Sequence, residues 1–220
     1  MPRVTSPRWP TALFDLDGTL ADTIPLIVAS YQHAFATVLG EEVSDARARA
    51  WVGRPLLDAL LEESPEHGHE LDRVYREWNL ANTARLIRRY AGVPELLDVL
   101  AEAGVTTAVV TSKRRGTARL ALEAVGIARH LEVVAGLEDT DRHKPGPEPL
   151  LHGAAVLGVD PEECVYVGDA AVDVLAARAA GMAALAVTWG AGERADLEAA
   201  GPIAVFDRVH DLGEYLLGRS

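Results

Sequence analysis

The chain has 220 residues, 49% hydrophobic and 25% charged, with a net charge of −12, the profile of a water-soluble globular protein of one large or two small domains. The acidic balance argues against nucleic acid and anionic membrane as main partners, since both need basic surface, but not against an anionic substrate, because a metal ion inverts the local field. The single cysteine, Cys164, excludes an internal disulfide framework, fits a reducing cytosol and hence a cytoplasmic setting, and reads as a small buried residue rather than a catalytic thiol.

Met1 to Arg8 reads as a Pro-containing tail or an expression remnant without the apolar core of a signal peptide, and no apolar run approaches membrane-spanning length. Thr11 to Phe14 then predicts a buried strand. It runs into Asp15-Leu16-Asp17-Gly18-Thr19: two carboxylates at i and i+2, a glycine, then a hydroxyl. Residues two apart on an extended strand point the same way. Asp15 and Asp17 therefore leave the strand end facing one place, and Gly18 allows a sharp turn directly after them.

From Thr23 to Leu39 the spacing is helical, with Leu26, Ile27, Ser30, Tyr31, Ala34, Phe35 and Val38 on one face and Gly40 as the stop. Ser44 caps a helix reaching Trp51, and Pro55 opens another over Leu56 to Leu61. A turn at Ser64 to His69 precedes a longer helix from about Glu70 to Arg89. No strand is predicted between Thr23 and Arg89, so this segment reads as a helical insert that leaves after Ala21 and returns near Val93, a lid hinged beside the Asp15–Asp17 pair.

Past Gly92 the pattern alternates. Helices are predicted at Glu95–Ala103, Thr117–Val125, Pro147–Leu157 and Val172–Ala180, each closed by a glycine, and a short one at Ala195–Ala200. Between and after them lie strands at Thr106–Val110, Glu132–Ala135, Val165–Val167, Ala183–Val187 and Ile203–Val205. Such alternation means βαβ units and a parallel sheet, and parallel sheets collect their ligand groups at the carboxyl ends of the strands. The expected architecture is α/β: a core of residues 9–21 and 92–220, split by a helical unit of residues 22–91.

Three further strand ends carry chemistry-bearing residues: Thr111-Ser112-Lys113, the loop reaching Lys144-Pro145, and Gly168-Asp169 with Asp173 a helical turn on. The set suits phosphoryl transfer. A divalent cation must offset the charge of a phosphate ester facing a carboxylate, and hard oxygen ligands suit Mg²⁺. Lys144 adds positive charge against the transferring oxygens and the Thr111 hydroxyl a hydrogen bond. Asp15 would attack phosphorus to form an aspartyl-phosphate. Asp17 would protonate the leaving oxygen and then activate water.

With these motifs in order, Asp15-Leu16-Asp17-Gly18-Thr19, Thr111, Lys144-Pro145 and Gly168-Asp169 with Asp173, the chain resembles the haloacid dehalogenase superfamily from about Thr11 to Leu217. The resemblance implies a Rossmann-like parallel sheet core with an inserted α-helical cap. It implies Mg²⁺ held by Asp15, the Asp17 main-chain carbonyl and Asp169, with Asp173 supporting the metal side and Thr111 and Lys144 on the phosphoryl group. Where some members carry a second acid after the fourth-motif aspartate, this chain has Ala170. Asp17 argues against dehalogenation, which needs no acid there. Asp22-Thr23, Val110-Thr111-Ser112-Lys113 and His143-Lys144-Pro145 resemble the phosphoglycolate phosphatase branch, and Tyr75-Arg76-Glu77-Trp78-Asn79 is similar to its PpaX-type inorganic pyrophosphatases.

The expected activity is therefore hydrolysis of a small phosphorylated metabolite, phosphoglycolate or pyrophosphate, by a monomer or homodimer. The alternatives are a phosphomutase of the β-phosphoglucomutase kind and a non-catalytic binding protein of the same fold. Arg54, at the Gly53-Arg54-Pro55 turn, is a candidate clamp for a substrate carboxylate or second phosphate, and Ser112 and Lys113 are candidate substrate contacts. Asn79 reads as helix surface, His67 and His69 as surface residues, and Arg47 to Arg49 and Arg88 to Arg89 as solvated helix faces. Trp189 is read as lining the site or as a packed loop residue.

Overall fold

The computed structural model describes residues 6–219. In chain order the elements are β1 (Thr11–Phe14), β2 (Ala21–Asp22), α1 (Ile24–Leu39), α2 (Asp45–Arg49), α3 (Leu56–Glu63), α4 (Gly68–Leu86) and β3 (Arg88–Arg89). Then follow α5 (Val93–Glu102), β4 (Thr106–Val110), α6 (Arg115–Ala124), β5 (Glu132–Ala135), α7 (Glu148–Leu157), β6 (Cys164–Gly168) and α8 (Ala171–Ala179). β7 (Ala183–Val187), α9 (Arg194–Ala200), β8 (Ala204–Phe206) and α10 (Val209–Leu216) complete the described chain.

Six strands form one sheet in the order β5-β4-β1-β6-β7-β8, and every pairing within it is parallel. β1 is therefore central, with Phe14 level with Val109 of β4 and Val167 of β6. That register brings Asp15, Thr111 and Asp169 to one edge of the sheet. The period of two sorts side chains between the faces: Ala12, Phe14, Val165 and Val167 enter the core on one side, and Leu13, Cys164 and Tyr166 the core on the other. Helices cover both faces, as a parallel sheet requires. α7 comes close enough to the sheet that a Cβ on Gly153 would meet Val110 at 2.7 Å and Val134 at 3.2 Å.

The α1–α4 segment has a core of its own, built on Ile27, Tyr31, Phe35, Trp51, Leu60, Leu71 and Tyr75. It joins the sheet through a ribbon in which β2 and β3 pair antiparallel, Ala21 opposite Arg89 and Asp22 opposite Arg88. This corrects two expectations. The long helix ends at Leu86, where Ile87 turns extended at ψ 140°, and Arg88 and Arg89 form a strand rather than a solvated helix face. The reason is tertiary: two exposed residues show no period, but they pair with the outgoing strand.

Arg47 is also more than a solvated helix residue. It donates to Glu41 and to Glu63, and its guanidinium lies over the Phe35 and Trp51 rings at 5.5 and 5.3 Å from the centroids. The tail expectation fails where residues are described: the Arg8 amide donates to the Leu216 carbonyl at 2.9 Å, and its guanidinium sits 4.1 Å from the Tyr215 ring centre. Met1 to Thr5 lie outside the described residues. Among the described residues no helix is long and apolar enough to cross a membrane.

Candidate active site

β1 carries Asp15 out of the core, and the Asp15 amide still donates to Val167 of the neighbouring strand at 2.9 Å. Its carboxylate accepts from Lys144 Nζ at 2.9 Å. The same ammonium donates to Asp173 Oδ1 at 2.6 Å and to the Tyr166 hydroxyl at 3.1 Å, and Tyr166 donates onward to the Val110 carbonyl at 2.8 Å. All three donors of the lysine are thus used, each on a buried acceptor. Burial opposes the charge of Lys144, but the Asp15 and Asp173 carboxylates outweigh it and hold its pKa well above the ordinary value.

Asp169 sits beside this group. Its Oδ1 accepts from the Thr19 hydroxyl at 2.9 Å and its Oδ2 from the Ala191 amide at 2.7 Å. The room it occupies depends on two glycines: a Cβ on Gly18 would lie 2.2 Å from Asp169 Oδ2, and one on Gly190 would lie 2.1 Å from it. Gly18 also has φ +85°, a conformation side chains resist. Asp173 is pinned from its other oxygen by the Ala170 amide at 3.0 Å.

Asp15, Asp169 and Asp173 each offer an oxygen within 4.8 Å of the others. Three buried carboxylates against one lysine leave excess negative charge. Accordingly burial pushes the Asp15 carboxyl up to about 7, with Lys144 countering and Asp173 and Asp17 adding to the rise. Burial, then Asp173 and Asp15, push Asp169 well above the usual carboxylate range. Oxygen donors of this kind, buried and in charge excess, fit a hard divalent cation, and the glycine cradle keeps the Asp169 carboxylate in the set.

Asp17 stands apart from the buried three. Lys113 Nζ donates to both of its oxygens, at 2.8 and 3.0 Å. Thr111 is buried at the end of β4, and its hydroxyl accepts from the Lys113 amide at 3.2 Å. Asp17, Ser112, Lys113 and Arg54 line a common cavity of about 350 Å³ between α1–α4 and the start of α6. Arg54 reaches its wall from the turn before α3 while ion-paired to Glu62. Asn79, expected on a helix surface, is instead 4% exposed, donates to the Ser30 hydroxyl at 3.0 Å and lines the same cavity. His67 and His69 are exposed. Trp189 is a packed loop residue, its indole donating to the Thr19 carbonyl at 3.1 Å. Burial pushes the Cys164 thiol up to about 11, which leaves it unreactive.

The sequence reading passed over Tyr166. A tyrosine between valines in a fully buried strand needs a partner for its hydroxyl, and that need was the available signal. It also missed the role of Thr19 as a donor to Asp169, although the hydroxyl stands directly after Gly18.

The comparisons with known proteins agree with this geometry. A family model described as haloacid dehalogenase-like hydrolase matches residues 12–187. The chain is similar to the Pyrophosphatase PpaX of Halalkalibacterium halodurans, 38% identical over 172 residues that cover 78% of this chain and 80% of that one. It is 34% identical to the Pyrophosphatase PpaX of Bacillus velezensis over 209 residues, covering 95% and 97%. Among solved structures it resembles a protein described as a predicted phosphoglycolate phosphatase from Haemophilus somnus, with TM-score 0.83, 26% identity and coverage of 93% and 96%.

Proposed function

This chain belongs to the haloacid dehalogenase-like hydrolases, and from that premise we propose that it is a Mg²⁺-dependent phosphatase working through an aspartyl-phosphate on Asp15. The observation that carries the reading is the convergence of Asp15, Asp169 and Asp173, with oxygens within 4.8 Å of one another, the first and last of them bonded to the Lys144 ammonium. Asp15, Asp169, Asp173 and the Asp17 main-chain carbonyl would hold the ion. When bound, Mg²⁺ supplies positive charge that offsets the phosphoryl oxygens and lets a carboxylate approach them.

The residues divide the work. An Asp15 oxygen bonds to phosphorus as the bond to the leaving oxygen breaks. The electron pair stays on that oxygen, which takes the Asp17 proton and departs. Water then attacks the phosphorus, gives its proton to Asp17, and the Asp15 carboxylate is restored with release of inorganic phosphate. Lys144 holds Asp15 in place and faces the transferring oxygens, and the Thr111 hydroxyl donates to them. Lys113, by its pair with Asp17, fixes the acid/base carboxylate at the cavity wall. Ser112 and Arg54 contribute to substrate binding from the same wall. Residues 22–91 act as a cap over a core of residues 9–21 and 92–220, with the β2–β3 ribbon as the hinge.

For substrate, the names of the relatives support inorganic pyrophosphate, and that of the Haemophilus somnus neighbour supports phosphoglycolate. The test is phosphate release with Mg²⁺ from pyrophosphate, phosphoglycolate and hexose phosphates. Release from either of the first two is expected. Isomerisation of a sugar phosphate without release would overturn the phosphatase reading.

A further inference from the structure

The cavity between α1–α4 and α6 carries Arg54, Arg76, Lys113 and Arg114, which suit a small anion, and beside them an apolar wall that neither small anion uses. Asp17 alone of the four site aspartates stands on its wall. On the reading above, Asp17 protonates the leaving oxygen, so whatever that oxygen carries extends into this space. Around its roughly 350 Å³ stand Ile27, Trp51, Val52, Leu56, Leu80 and Leu120. Pyrophosphate offers these side chains no carbon, and phosphoglycolate a single methylene. Leu80 on α4 and Leu120 on α6, both on this cavity's wall, are 56% and 42% exposed, apolar surface left in water that an apolar ligand would cover. Deeper, Tyr31 is 2% exposed, and its hydroxyl has no hydrogen-bond partner among the described residues.

We infer that the substrate range of this site extends to phosphate monoesters whose leaving alcohol carries an apolar body housed between Leu80 and Leu120, an inference that rests on the phosphatase reading. The step balances as before: the monoester and water give the free alcohol, carrying the Asp17 proton, and inorganic phosphate.

The experiment is steady-state hydrolysis of methyl, butyl and hexyl phosphate with Mg²⁺, beside pyrophosphate and phosphoglycolate. The expected result is kcat/KM rising roughly two- to fourfold per added methylene, as burial of each in an apolar pocket gives. Leu80→Gln and Leu120→Gln, at half-exposed positions and checked for folding by circular dichroism, should each lower the hexyl-to-methyl ratio at least about fivefold. A flat series in the native protein, or a steep one that neither variant changes, would overturn the inference while leaving the phosphatase intact. No phosphate release from any of the five compounds would instead overturn the phosphatase reading beneath it.

Discussion

Asp15 is held by a lysine whose other donors go to Asp173 and Tyr166, so replacing its charge should disturb chemistry far more than shape. Asp15→Asn keeps the volume and a hydrogen-bonding oxygen but removes the proposed nucleophile. The expected outcome is loss of turnover by at least about a thousandfold with the far-ultraviolet spectrum unchanged; activity near the native level would refute the assignment. The same carboxyl sets a pH dependence. Its folded value of about 7 lies above the ordinary 3.8, so between those limits the folded chain keeps a proton that the unfolded chain has released. Its contribution to stability is therefore full at low pH and is lost as pH rises through about 7. A divalent ion needs the carboxylates ionised and must displace those protons. Mg²⁺ should thus raise Tm more at about pH 8 than at about pH 5, and an equal or reversed shift in thermal scans would contradict the metal assignment.

Elements depend on their glycines in opposite ways. In α7, Gly153 lets the helix approach Val110 and Val134, and Gly153→Ala should cost about 1–3 kcal/mol through overpacking. In the first turn of α6, nothing stands within 4 Å of a Cβ on Gly116, so Gly116→Ala should add about 0.5–1 kcal/mol by stiffening the unfolded chain. Thermal denaturation of the two variants should move in opposite directions; a common direction would mean the helix does not seat on the sheet through Gly153. The strands that end in Asp15, Thr111 and Asp169 were legible because apolar runs alternate with glycine-stopped helices. Their shared edge followed from the parallel topology alone. The β2–β3 ribbon was not legible, since two residues per strand carry no period. α10 was overlooked although Val209, Leu212 and Leu216 are spaced for one helix face. Asn79 misled because a polar residue in mid-helix reads as surface until its partner, Ser30, is seen 49 positions away. The Lys113–Asp17 pair spans 96 positions, and nothing local announces it.

At the scale of the molecule there are two kinds of core: those on the faces of the six-stranded sheet, and one inside α1–α4. Cooperative units often follow such divisions. Amide exchange of α1–α4 should therefore proceed as a group through openings that leave β1 and β6 protected, measured by hydrogen exchange; identical protection across both would argue for a single unit. Two cations of the site, Lys144 and Lys113, are paired with its own aspartates. The ribbon that joins the two regions has a consequence for descent. Among the described residues the chain crosses between them only at Ala21–Asp22 and Arg88–Arg89, so the groups proposed for bond breaking and most of the wall proposed to select the alcohol are inherited on separate stretches of sequence. On that proposal, drift within residues 23–87 would change what a lineage hydrolyses while the sheet edge preserved how it does so.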